Sequence, residues 1–311
     1  QLGPTAAITK RVEGKEISEL SFLQDAGAIA FTNGLKSIEN PKILLRALNY
    51  ASSMDSLFIG HCEDYYLSNG VSATASAFAT KMGLSSAPKE TELLGLERDS
   101  LLADLSNVNY HASQITTEKS FLKIKELKSL RNKITAGISI HHLLFDETDI
   151  HNYRTFFKLS PPLRSISDKL FILQNINDNT IDTISSFHLP QDEESKRLPF
   201  ERAAFGAIGL QTLLPACLKL VHDKILDLPQ LFKKISLNPA KILNIKSGIL
   251  EEGYPADLVL FDPKKPFVVD RFSLLSKAKN TPFDGYKLYG EVLKTFVRGK
   301  EIFKSRNISD T

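Results

Sequence analysis

Little in this chain is in excess. Two cysteines, Cys62 and Cys217, are too few for a disulfide framework. No apolar run of about 18 residues and no secretory leader pattern occurs, so neither a membrane-spanning helix nor an exported, disulfide-stapled fold is expected. A reducing, cytoplasmic setting is the expectation that follows. Charge of one sign is lacking as well: 39 Lys and Arg stand against 36 Asp and Glu, a net +3, and the basic residues are scattered rather than gathered into an arm or stripe. Nucleic acid is therefore not an expected partner, and neither is a membrane. No internal repeat or low-complexity linker stands out.

What is present is ordinary globular protein, with 42% hydrophobic and 24% charged residues. At 311 residues the chain can hold one large domain, or a barrel with a smaller satellite, since a complete (β/α)8 barrel takes about 250 residues. It opens at Gln1 and almost at once enters a strand-like Ala6-Ala7-Ile8-Thr9, which points to an upstream portion not included.

Short apolar strand candidates alternate with stretches of helical spacing. The strands are Ala28 to Phe31, Leu57 to His61, Val108 to His111, Ile134 to Ile140 and Thr183 to Phe187. Pro41 to Ser53 and Ser120 to Leu130 read as amphipathic helices. The alternation favours an α/β fold of parallel βα units, either a barrel or an open doubly wound sheet. After Pro239 the texture changes to Gly248 to Gly253, Ala256 to Asp262 and Val292 to Gly299, which read as strands separated by turns. A main domain over 1–243 and a small C-terminal β-element over 244–311 are expected.

Polar residues gather at the strand ends: His61-Cys62-Glu63-Asp64, His111-Ala112-Ser113 and His141-His142. Parallel βα folds keep their chemistry there, because each strand end projects a side chain into a shared mouth. His61 and His111 are the best pair of imidazoles for a metal. A histidine at a strand end can equally be a polar rim residue, and Cys62 beside His61 reads as a buried, inert thiol rather than a nucleophile.

Ala7-Ile8-Thr9-Lys10, Glu13-Gly14-Lys15-Glu16, Ala26-Gly27-Ala28-Ile29-Ala30-Phe31, His61-Cys62-Glu63-Asp64, Tyr110-His111-Ala112-Ser113, His141-His142-Leu143, Pro161-Pro162-Leu163-Arg164 and Asn238-Pro239-Ala240 follow one another in the order seen in bacterial dihydroorotases. Over essentially its whole length the chain resembles that family of the amidohydrolase superfamily. The resemblance implies a (β/α)8 TIM barrel. It also implies a zinc centre that opens dihydroorotate, or closes carbamoyl aspartate, through a metal-bound hydroxide in pyrimidine biosynthesis. It places the start of this chain at about the third barrel strand, so the barrel is expected to be N-terminally incomplete, with part of the β-element missing too.

The same resemblance marks departures. The His-x-His pair of the first strand is absent. Phe31-Thr32-Asn33-Gly34 stands where the family carries a bridging aspartate, and a neutral amide is a poor bridge between two dications. Phe187 occupies the position of the general acid/base aspartate, in Asp182-Thr183-Ile184-Ser185-Ser186-Phe187-His188-Leu189-Pro190-Gln191. Ser160 and Gln191 replace an asparagine and a histidine that contact substrate. His61 and His111 remain as the remnant of a second metal site, holding zinc weakly or not at all. His188 is expected to persist as a structural neighbour of its strand end.

The expectation is thus a non-catalytic dihydroorotase-like homologue, a pseudoenzyme retained as an oligomeric assembly partner of aspartate carbamoyltransferase. The alternative is an active zinc-dependent dihydroorotase or related cyclic amidohydrolase. In that case upstream residues would restore the histidine pair, and Glu63 or Asp64 would replace the lost carboxylate.

Overall fold

Six short strands form one parallel sheet in the computed structural model, which describes residues 2–131 and 133–305. They are β1 (Thr5–Ala7), β2 (Ala30–Thr32), β3 (Leu57–Gly60), β4 (Asn109–Ala112), β5 (Ile134–Ser139) and β6 (Thr183–Ser185). Each pairs in parallel with the next in chain order. An order without reversal lacks the switch point of a doubly wound sheet and is the winding of a barrel. Among the described residues β1 and β6 are paired on one side only, so the strands make an open sector.

The helices follow from local sequence. In α1 (Pro41–Ser53) the Asn40 side chain accepts the Lys42 N–H, Pro41 fills the first turn, and Leu44, Ala47, Leu48 and Ala51 bury one face. The later helices are α2 (Glu90–Ser106), α3 (Glu118–Leu130), α4 (Ile166–Asn175) and α5 (Leu213–His222). The α3 helix starts two residues before the sequence suggests, because Thr117 rather than a later residue caps it, accepting the Ser120 N–H. Strand limits shift as well. The ladder leaves out Ala28 and Ile29, ends at Gly60 before His61, includes Ala112, and stops at Ser185 before Phe187. Strand β5 ends at Ser139, because its hydroxyl caps a short helix over Ile140–Leu144. The first strand likewise ends at Ala7.

The C-terminal region holds an antiparallel sheet of β7 (Leu258–Val268), β8 (Lys287–Val297) and β9 (Lys300–Lys304). Gly248 to Gly253, read from sequence as a strand, is a turn segment instead. Both of its glycines sit at positive φ, 82° and 83°, outside the extended range of regular strand backbone. The segment between β7 and β8 returns to the main body, where Phe283 stacks near His141 and Phe145 at 5.5 and 4.9 Å between ring centres. No helix among the described residues is long and apolar enough to cross a membrane.

Candidate active site

The polar residues at the C-terminal ends of β3 and β4 are buried and tied together. His61 follows β3 directly, and its Nε2 lies 3.0 Å from Glu63 Oε2 while its Nδ1 has no hydrogen-bond partner. Ser160 Oγ approaches the same pair, at 3.3 Å from His61 Nε2 and 3.5 Å from Glu63 Oε2. Helix α2 presses against this turn at Gly95. A Cβ there would stand 2.7 Å from the Glu63 backbone and 2.8 Å from that of Cys62, so only glycine allows the approach.

Arg164 is the hub beneath the pair. Its Nη2 reaches Glu63 at 3.5 Å and Glu92 at 3.2 Å, Nε donates to Thr116 Oγ1 at 2.9 Å, and Nη1 donates to Thr74 Oγ1 at 3.0 Å. Glu92, fully buried on α2, also accepts the backbone N–H groups of Thr116 and Thr117. Burial alone would raise the Glu63 carboxyl, but hydrogen bonds and charge from His61 and Arg164 outweigh it and hold it below the usual range. Two buried carboxylates around one guanidinium, with Thr74 and Thr116 accepting from its other nitrogens, form a buried polar network.

His111 is buried on β4 over Gly137, where a Cβ would lie 3.0 Å from its Nε2. Nδ1 donates to Thr135 Oγ1 at 2.8 Å, since that hydroxyl turns its own hydrogen toward the Tyr110 carbonyl, and Nε2 keeps a long 3.5 Å contact with Thr183. Burial pushes His111 down to about 4, so it is a neutral ring. Asn33 is committed as well: its Oδ1 accepts from Thr9 at 2.6 Å and its Nδ2 donates to the Lys36 carbonyl at 3.1 Å. His142 bridges Ser139 and the Pro161 carbonyl at 2.7 and 2.9 Å, and buried His141 leaves Nε2 without a partner. Cys62 meets Tyr110 Oη at 3.1 Å rather than His61, and burial raises its thiol well above the ordinary value.

The end of β6 is different in kind. Phe187 sits half-buried with φ at 40°, a left-handed conformation that a bulky residue adopts at a cost. His188 Nδ1 accepts the backbone N–H groups of Gly209 and Leu210 at 3.1 and 3.4 Å, a structural role. Gln191 donates to the Phe205 carbonyl at 2.7 Å. Ser160 lines a cavity of about 510 Å³ with Asn33, Glu63 and Arg164, whereas Gln191 lines a separate one.

An amidohydrolase family profile matches residues 6–302. The chain belongs to the amidohydrolase family. Within it, this amidohydrolase is 38% identical over 301 residues to the dihydroorotase of Syntrophus aciditrophicus, covering 97% of this chain and 71% of the relative. It is 33% identical over 305 residues to the dihydroorotase of Ehrlichia canis, with 97% and 68% covered. Among solved structures, the L-hydantoinase (dihydropyrimidinase) of Arthrobacter aurescens superposes with a TM-score of 0.86 at 22% identity, over 96% of this chain and 69% of that one. At that identity the match establishes the fold, a TIM-barrel α/β architecture with an added β-sheet.

The donors of this amidohydrolase do not fit a zinc centre of three or four protein ligands. His61 offers one unengaged nitrogen, His111 one with a long contact, and the amide of Asn33 is tied up in two hydrogen bonds. Among the described residues no group of three or more His, Cys, Asp and Glu could hold a metal ion.

Sequence reasoning singled out His61, His111, Ser160 and Glu63, and the structure gathers His61, Ser160 and Glu63 into one cluster. It missed Glu92. The signal was there: Glu92 shares helical spacing with buried Gly95, Leu96 and Asp99, which marks a core face.

Proposed function

We propose that this chain is a dihydroorotase-like barrel without hydrolytic catalysis, retained as an assembly partner of aspartate carbamoyltransferase in pyrimidine biosynthesis. The observation that carries the reading is Phe187 at the end of β6. Hydrolysis or closure of an amide ring needs a group there to accept and return a proton, and a benzyl side chain does neither. General acid–base catalysis accounts for about 100- to 10,000-fold in rate. The engagement of His111 and Asn33 supports the same reading, because neither presents a free anionic or imidazole donor set toward a shared ion. The partner is inferred from the kinship with dihydroorotases, whose substrate is made by that carbamoyltransferase. The open edges of β1 and β6 are surfaces that a partner, or further residues of the same gene product, would cover.

The test uses the full product of the native gene. Carbamoyl aspartate cyclisation is expected to be absent, and native purification is expected to bring down a carbamoyltransferase with the chain. Ready turnover would make the protein a working dihydroorotase, and purification free of any carbamoyltransferase would remove the assembly role.

A further inference from the structure

A second cavity, of about 820 Å³, opens between the Tyr153–Phe156 segment, the loop after β6 and the chain between β7 and β8. It shares no lining residue with the cavity of Glu63 and Ser160. Six basic residues line it: Arg154, Lys196, Arg197, Arg271, Lys277 and Lys279. The carboxylates nearby are fewer. Arg154 Nη2 and Arg271 Nε both lean on one oxygen of Asp284, at 3.3 and 3.7 Å, so two guanidiniums share a single carboxylate. The same two guanidiniums lie 5.4 and 5.3 Å from the centre of the Phe156 ring, which holds them in place. Glu193 and Glu194 both pair with Arg197, at 2.8 and 3.1 Å, which compensates that guanidinium, and Asp192 caps the following helix through the Ser195 N–H.

Lys277 and Lys279 add charge with no ion pair to a carboxylate among the described residues, and Lys196 adds it in part. Lys196 is buried and donates to the carbonyls of Thr155 and Ala204 at 2.9 and 2.6 Å, and burial together with the charge of Lys158 brings it down to about 7. Lys279 donates to the Leu274 carbonyl, and exposed Lys277 has no hydrogen bond or ion pair among the described residues. In a chain whose net charge is only +3, this cavity concentrates positive charge that repels itself, and an anion relieves that repulsion.

We propose that this cavity is a binding site for a small phosphate-bearing polyanion. A lone carboxylate is satisfied by one guanidinium and leaves the other cations uncompensated. Phosphate groups, with several oxygens and more than one charge, take donors from the Arg154–Arg271 pair and the lysines at once. The volume lies within the roughly 300–1,000 Å³ of small-molecule sites.

Titration calorimetry with inorganic pyrophosphate tests this on the purified protein, its Lys277→Glu and Arg271→Gln variants, and a Lys81→Glu control. Saturable one-site binding is expected, weakened about tenfold or more by either cavity substitution and unchanged by the control. Lys277 is exposed and makes no hydrogen bond or ion pair among the described residues, so its variant is expected to fold as the parent does, which a thermal melt checks. No saturable binding, or binding that both cavity variants retain, overturns the site. Binding of citrate in place of pyrophosphate overturns the phosphate assignment.

Discussion

The ends of β3 and β4 and the end of β6 lie along the same edge of the sheet, and their side chains are tied in differently. Around His61 the polar side chains form a network that holds structure: Glu63 and Glu92 neutralise Arg164, and Arg164 ties in Thr74 and Thr116. At β6 the residue whose task by family resemblance is proton transfer is a phenylalanine, while its neighbour His188, which holds the backbone of Gly209, remains. Removing a member of the first group leaves a charge buried without its partner, whereas removing a proton carrier from a barrel rim leaves the fold nearly untouched.

The largest effect expected on the retained side comes from acid. His111, His141 and His142 are held neutral by burial, down to about 4, 3 and 4. Their unfolded values are about 6.5, so between pH 6.5 and 4 the unfolded chain binds more protons and stability falls as pH falls. With all three titrating the slope approaches about 4 kcal/mol per pH unit. Glu63, held low, acts in the same direction at still lower pH, while Asp99, raised by burial, opposes it. Urea midpoints that stay level from pH 7 to 5 would contradict this.

Next in size is Arg164→Met, which strands two buried glutamates and is expected to destabilise by about 3–5 kcal/mol in denaturant melts. An effect under about 1 kcal/mol would mean that the network is not what holds the β3 end. Gly95→Ala follows, at about 1–3 kcal/mol, because its methyl meets the Glu63 backbone and α2 has to shift. At the end of β6 the effect should be smallest. Phe187→Asp puts a residue that tolerates left-handed backbone at φ 40° in place of a half-buried ring, and stability is expected to move by less than about 1 kcal/mol. A large loss there would erase the contrast.

The fold was legible where local signals agreed. Amphipathic spacing over Pro41 to Ser53 gives α1 to the residue, and the alternation of apolar runs gives the parallel sheet. Gly248 to Gly253 misled because a glycine-flanked apolar pair reads alike as strand or turn until φ is known. Phe187, Ser160 and Gln191 were visible through family resemblance rather than residue type. That Ser160 and Gln191 open into separate cavities was not, nor was the convergence of Arg154, Lys196 and Arg271, because contacts between such distant segments leave no local pattern.

The most direct test of the central claim is the zinc content of the full native gene product, measured by mass spectrometry after zinc loading and dialysis. A barrel whose site has kept only its structural duties should retain no tightly held zinc. Two zinc ions held by each chain through dialysis would contradict the account and restore a hydrolytic metal centre.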